Sequence, residues 1–95
     1  MIYEVIFFPR AEVEIEDAFY WYESKYPGLG NRFLENFEQE VERITSNPYL
    51  FRSSKNDLRE AIIQSFPYVI IYSVLDQKIL IQAVFNTSRN PTKKP

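Results

Sequence analysis

The chain has 95 residues, 45% hydrophobic and 17% aromatic, a composition that folds as one globule rather than remaining a disordered tail. It contains no cysteine and no histidine, which excludes disulfides, thiolate metal sites, the usual general base at neutral pH and the commonest zinc ligands. The net charge of −2 hides an asymmetry, because residues 1–50 carry 4 Lys/Arg against 10 Asp/Glu and residues 51–95 carry 7 against 3. That split fits either two faces with different partners or simply the wet sides of acidic helices.

Residues 2–8, Ile-Tyr-Glu-Val-Ile-Phe-Phe, are β-branched and aromatic and stop at Pro9, the pattern of a strand. Both of its faces are mostly apolar, which predicts flanking strands or cover on both sides. Pro9 and Arg10 then open a helix, where a missing N–H costs nothing. Ala11, Ile15, Ala18 and Tyr22 recur at helical spacing, and Glu12, Glu14, Glu16 and Asp17 crowd the first turns, where the helix dipole favours negative charge. Pro27-Gly28 ends this helix. A second begins after Leu29-Gly30, with Asn31 as its expected N-cap and Leu34, Phe37, Val41 and Ile44 as its apolar stripe; Asn47-Pro48 ends it. A short linker between the two helices predicts an antiparallel hairpin.

Residues 49–57 connect this hairpin to residues 58–65, which alternate as a strand, with Arg59, Ala61 and Ile63 on one face and Leu58, Glu60 and Ile62 on the other. Phe66-Pro67 breaks the pattern. Tyr68 to Leu75 is the most apolar strand and therefore the expected centre of the sheet. Asp76-Gln77 reads as a two-residue hairpin turn. Lys78 to Phe85 is the last strand, and strict alternation places Ile79, Ile81, Ala83 and Phe85 on one face. The tail, about residues 88–95, is expected to be loose. No repeat, low-complexity segment or second domain interrupts residues 1–95. No apolar run is long enough to span a membrane, and the N-terminus lacks the basic lead of a signal peptide.

Arg59 and Arg89 are the first candidates for function, because a guanidinium fork grips phosphate oxygens and stays charged at any working pH. If their strands are neighbours, both converge at one end of the sheet. The alternative is a solvated arginine, or one paired with Glu60 or Asp57. Tyr68 and Tyr72, with Tyr3 beside them, either stack nucleic-acid bases or fill the core. Glu60 with Arg59 or Asp57 is a weak acid/base candidate. With only two glycines, Gly28 and Gly30, the chain has no phosphate-cradling loop, and no cofactor or metal is expected.

Taken in order, these segments resemble the RelE/ParE toxin family of bacterial type II toxin–antitoxin modules, and its ParE branch in particular. The resemblance runs through Pro9 and Ala11, Phe19-Tyr20-Trp21-Tyr22, Pro27-Gly28-Leu29-Gly30, Arg32-Phe33-Leu34, Asn47-Pro48, Leu58-Arg59, Phe66-Pro67-Tyr68, and Ile81 to Asn86 leading to Arg89-Asn90-Pro91. It implies an α+β fold of order β-α-α-β-β-β, with the helical hairpin packed on one face of a mostly antiparallel sheet. It also implies a cytoplasmic toxin, associated with plasmid stabilisation and neutralised by a cognate antitoxin, as a homodimer or a toxin–antitoxin hetero-oligomer. ParE-like members are associated with inhibition of DNA gyrase, which would place target binding on Arg59, Asn86 and Arg89. RelE-like members cleave mRNA on the ribosome, an enzymatic alternative using Arg59, Arg89, Tyr68 or Tyr72. The family often has histidine where Asn86 stands, and no aromatic follows Arg89. Those departures weaken the nuclease reading and leave open a degenerate copy that only binds antitoxin.

Overall fold

Seven elements follow one another in the computed structural model, which describes residues 2–88: β1 (Glu4–Phe7), α1 (Pro9–Lys25), α2 (Leu29–Ser46), β2 (Arg52–Ser53), β3 (Arg59–Ile62), β4 (Tyr68–Leu75) and β5 (Lys78–Asn86). The strands form one sheet of order β1-β5-β4-β3-β2, with β1 parallel to β5 and every other pair antiparallel. The expected α+β hairpin-on-sheet architecture is therefore present, with β4 at the centre. The tail from Arg89 onward lies outside the described residues.

The helices cover one face of the sheet. Ala11 and Ala18 of α1, and Phe33, Phe37 and Ile44 of α2, pack on Ala61, Ile70, Tyr72, Ile79 and Ile81. Small residues on α1 let the two helices close in on each other. At Gly30 a Cβ would stand 2.7 Å from the Phe19 carbonyl oxygen, so only glycine fits this approach. The expected cap is corrected here. Gly28, at φ 89°, is the N-cap of α2, and Asn31 lies inside the helix. Glu23 of α1 supplies the missing acceptor, taking the Gly28 and Gly30 N–H groups at 3.0 and 2.9 Å. A carboxylate at the positive end of a helix satisfies both the hydrogen bonds and the dipole.

Two sheet expectations are also corrected. β1 is an edge strand, and its apolar outer positions are met from one side by the helices, not by a second strand. β5 does not alternate strictly. Tyr72 pairs with Ile81 but Ile71 pairs with Ala83, so Gln82 is the extra residue of a β-bulge. The bulge reverses the faces. Ile79, Ile81 and then Val84 turn toward the helices, while Ala83 and Phe85 join Leu58, Val69 and Ile71 in a second cluster on the opposite face. The Gln82 side chain is used locally, donating to Ser73 Oγ at 2.9 Å.

Just past the bulge, β1 has ended. Phe8 N–H reaches Ile81 O, and Pro9 then carries the chain away into α1. Glu14 closes the exposed edge of β5, accepting the Val84 N–H on Oε1 at 2.8 Å while its other oxygen pairs with Arg10 at 3.0 Å. Replacing Glu14 with alanine leaves that half-buried donor unsatisfied, at an expected cost of about 1–3 kcal/mol. Glu14→Gln, which keeps an acceptor and loses only an exposed ion pair, should cost less. Hydrogen exchange at the Val84 amide reads this directly: protection that is unchanged in Glu14→Ala would contradict the assigned role.

Candidate target-binding site

Arg59 sits on the helix side of β3, opposite Tyr72 of β4. Its guanidinium donates to the Phe51 carbonyl at 2.8 Å and the Tyr49 carbonyl at 3.2 Å, and lies 5.3 Å from the Tyr49 ring centre. Glu60, at the next strand position, leaves the opposite face of the strand. The chain between α2 and β2 is thus held by an arginine. It is also held by Tyr72, whose hydroxyl donates to the Pro48 carbonyl at 2.6 Å.

Tyr68 and Tyr72 are 5% and 0% exposed and belong to the main core, so neither ring offers a face to a base. Tyr68 packs edge-on to Phe33, with centres 5.2 Å apart, and Tyr72 packs edge-on to Phe51. Tyr3 packs against the same core. Burial pushes the Tyr72 hydroxyl up to about 12; the Arg59 charge opposes this and the Glu40 carboxylate reinforces it.

Glu40 is a residue that sequence reasoning passed over. It is 4% exposed, and its Oε1 accepts from Arg43 at 3.0 Å. Arg43 in turn lies over the Phe51 ring. A signal was present: Phe33, Phe37, Glu40 and Ile44 recur at spacings of four, three and four, so a carboxylate stood inside the buried stripe.

Asn86 is paired with Tyr68, the first residue of β4, whereas Arg59 is paired with Tyr72 in the middle of that strand. Four residues of strand, roughly 13 Å, separate the two positions. β3 and β5 are moreover not neighbours, because β4 lies between them. Arg59 and Asn86 therefore do not converge, and Arg89 falls outside the described residues. The Asn86 Oδ1 accepts from Ser88 N at 2.9 Å and Ser88 Oγ at 2.7 Å, and Thr87 N–H bonds the Pro67 carbonyl. These bonds fix the end of β5 against the β3–β4 turn. No group of three or more Asp, Glu, His or Cys is placed to hold a metal among the described residues.

A separate groove lies between the helices and the end of β1. Phe7, Ile15, Phe19, Leu34 and Phe37 form its apolar floor, and Glu12 and Glu16 stand on its rim, around about 440 Å³ of space. Tyr20, 63% exposed, stands beside it.

A family model described as the ParE toxin of the type II toxin-antitoxin system, parDE, matches residues 5–91. This chain belongs to the ParE toxin family. The ParE-family fold is matched by a solved structure titled "Chromosomal ParDE TA system from P. aeruginosa", at a TM-score of 0.78 and 11% sequence identity, over 90% of this chain and 96% of that one. At that identity the likeness speaks for the fold alone. No curated protein matches the sequence. In this ParE-family chain no helix among the described residues is long and apolar enough to cross a membrane.

Proposed function

We propose that this chain is the toxin of a type II toxin–antitoxin module, that it inhibits DNA gyrase by binding rather than by cleaving RNA, and that a cognate antitoxin neutralises it in the cytoplasm. The observation that carries the choice of binding over catalysis is the condition of the nuclease candidates. Tyr68 and Tyr72 are buried in the core, and Arg59 is tied to the Tyr49–Phe51 segment, its Nη1 donating to two backbone carbonyls. A ribonuclease needs such groups free to reach a scissile phosphate and to stabilise its developing charge. A binding toxin does not. On this reading the target contact centres on the β5 end, through Asn86 and Arg89. Arg59 acts as a positioning residue that holds the Tyr49–Phe51 segment.

Gyrase supercoiling in the presence of the purified protein tests the reading. Inhibition is expected from the wild type, and Arg89→Ala should weaken it by about tenfold or more, the loss of a charge-assisted contact. Arg59→Ala should lower both inhibition and thermal stability, since two carbonyls lose their donor. Absence of inhibition at micromolar protein sinks the gyrase reading. Cleavage of ribosome-bound mRNA would then establish the enzymatic alternative, and tight antitoxin binding with neither activity would establish a degenerate copy.

For the antitoxin, the α1–α2 groove is the favoured seat. Its apolar floor and acidic rim suit an amphipathic segment with apolar anchors and flanking Lys or Arg. Amide exchange should slow along α1 and α2 when antitoxin binds. Protection confined to the C-terminal tail would overturn this assignment.

A further inference from the structure

A second cavity of about 630 Å³ opens on the other side of α2, between that helix and the β3–β4 turn, with Arg32, Asn36, Gln64 and Ser65 as its polar wall and Tyr22 and Phe66 among its apolar lining. Its charge sets it apart. The α1–α2 groove carries two carboxylates and no base, whereas this cavity carries a guanidinium and no carboxylate. That contrast is notable in a chain with 13 acidic residues. The other described helix arginines are engaged, Arg10 by Glu14 and Arg43 by Glu40. Arg32 is exposed and makes no ion pair among the described residues.

The walls are held in place. Asn36 Nδ2 donates to the Gln64 carbonyl at 2.9 Å, tying α2 to the turn and leaving the Asn36 Oδ1 and the Gln64 amide available. Tyr22 is stacked on Phe33 and set edge-on to Phe66, so the apolar side is preformed. Pro67, also in the lining, accepts the Thr87 N–H, which places the cavity beside the end of β5.

We propose that this cavity binds a nucleotide, either free or as one unit of a single strand. Its phosphate lies on Arg32, its base lies against Tyr22, and the base edge is met by the amides of Asn36 and Gln64. One guanidinium matches the single charge of a phosphodiester bidentately. Amides beside an apolar wall suit a ring with donors and acceptors on its edge. The volume falls within the roughly 300–1,000 Å³ of small-molecule sites. An acidic peptide fits less well, because it brings several carboxylates to a single cation. The inference goes beyond the gyrase reading and is measured on the isolated protein, so its failure and that of the supercoiling test are separate results.

The test is amide NMR of the full chain titrated with inorganic phosphate, adenosine monophosphate, a short single-stranded oligothymidylate and a glutamate-rich peptide. Saturable shifts at Gln64, Ser65 and the Asn36 side-chain amide are expected with the nucleotide and the oligonucleotide. Tighter binding of the oligonucleotide identifies a strand as the source; tighter or equal binding of the monophosphate identifies a free nucleotide. Arg32→Gln should weaken either by about tenfold, and Gln64→Ala should also weaken it while keeping the backbone carbonyl that Asn36 uses. Both changes are at exposed positions, and unaltered thermal melting confirms that the fold is kept. The proposal is overturned if inorganic phosphate alone reproduces the shifts at the same concentrations, or if the acidic peptide binds these residues as tightly. It is equally overturned if neither nucleotide nor strand perturbs them, or if Arg32→Gln binds like the wild type.

Discussion

Phe33→Ala should remove about 3–5 kcal/mol of stability, the range for deleting a large aromatic from a closed core. Phe33 is fully buried, and its ring is the hub of the aromatic packing. Tyr22 stacks on it at 5.6 Å between centres, Phe66 and Tyr68 meet it edge-on at 5.3 and 5.2 Å, and Phe37 lies at 6.5 Å. These partners come from α1, α2, β4 and the β3–β4 turn, so one ring joins the hairpin to the sheet. Neighbours fixed in four different segments cannot collapse together into the space it leaves, and the cavity cost adds to the lost transfer energy. A domain of this size holds only about 5–15 kcal/mol in total. The substitution therefore consumes a large part of the whole, and each kcal/mol lowers the melting temperature by about 4–8 °C. Urea denaturation of wild type, Phe33→Ala and Phe33→Leu measures it. Leucine should restore part of the loss by refilling volume. A loss under about 1 kcal/mol for alanine would mean that the cluster closes over the gap and that Phe33 is not its hub.

The parts of this fold that could be read from the sequence are those where one physical rule acts alone. The run Tyr68 to Leu75 is apolar on both faces because β4 lies in the middle of the sheet with packed residues on each side. The α1 stripe of Ala11, Ile15, Ala18 and Tyr22 is visible because a surface helix buries one side. The turn at Asp76-Gln77 follows from chain reversal, with Asp76 at φ 55° taking the left-handed conformation that aspartate tolerates. What alternation could not reveal is the bulge at Gln82. A single added residue is silent in a strand whose two faces are both apolar, and it transfers Ala83 and Phe85 to the other face.

The candidate site was legible as a set of residue types and not as a geometry. Arg59 stands out in the sequence as an arginine in a strand after two helices, but its partners, the carbonyls of Tyr49 and Phe51, are backbone atoms that no side-chain pattern announces. The same holds for Glu14, whose use depends on β1 ending one residue before α1 begins and so exposing the Val84 N–H. Strand order decided the rest. With β4 between β3 and β5, Arg59 and Asn86 fall in two separate regions. One is a clamped loop around Tyr72, and the other is a polar end around Asn86 that Arg32 borders through the β3–β4 turn.

The clamped loop also predicts a loss of stability in alkali. Tyr72 is fully buried, and its hydroxyl proton is committed to the Pro48 carbonyl. Ionising it would bury a phenolate beside the Glu40 carboxylate, with Arg59 only partly compensating, and its pKa is accordingly raised from 10.0 to about 12. In the unfolded chain the same group titrates near 10. Below pH of about 10 both states keep the proton, and the buried hydroxyl contributes its full share. Between about 10 and 12 the unfolded chain has released the proton and the folded chain has not, so the unfolded state binds fewer protons and stability falls as pH rises. Over that window the loss should reach about 2–3 kcal/mol, and it should flatten above 12, where both states are ionised. Urea midpoints measured on either side of the window, for wild type and Tyr72→Phe, isolate the effect from the other tyrosines and the lysines, which both proteins share. Tyr72→Phe should be less stable at neutral pH by about 1 kcal/mol, the value of a typical hydrogen bond, because the Pro48 carbonyl loses its donor. It should then lose less than the wild type on the way to pH 12, so that the two stability curves approach or cross. Curves that fall in parallel would show that Tyr72 ionises as freely in the folded protein as in the unfolded one, and that the hydroxyl is not held by the loop.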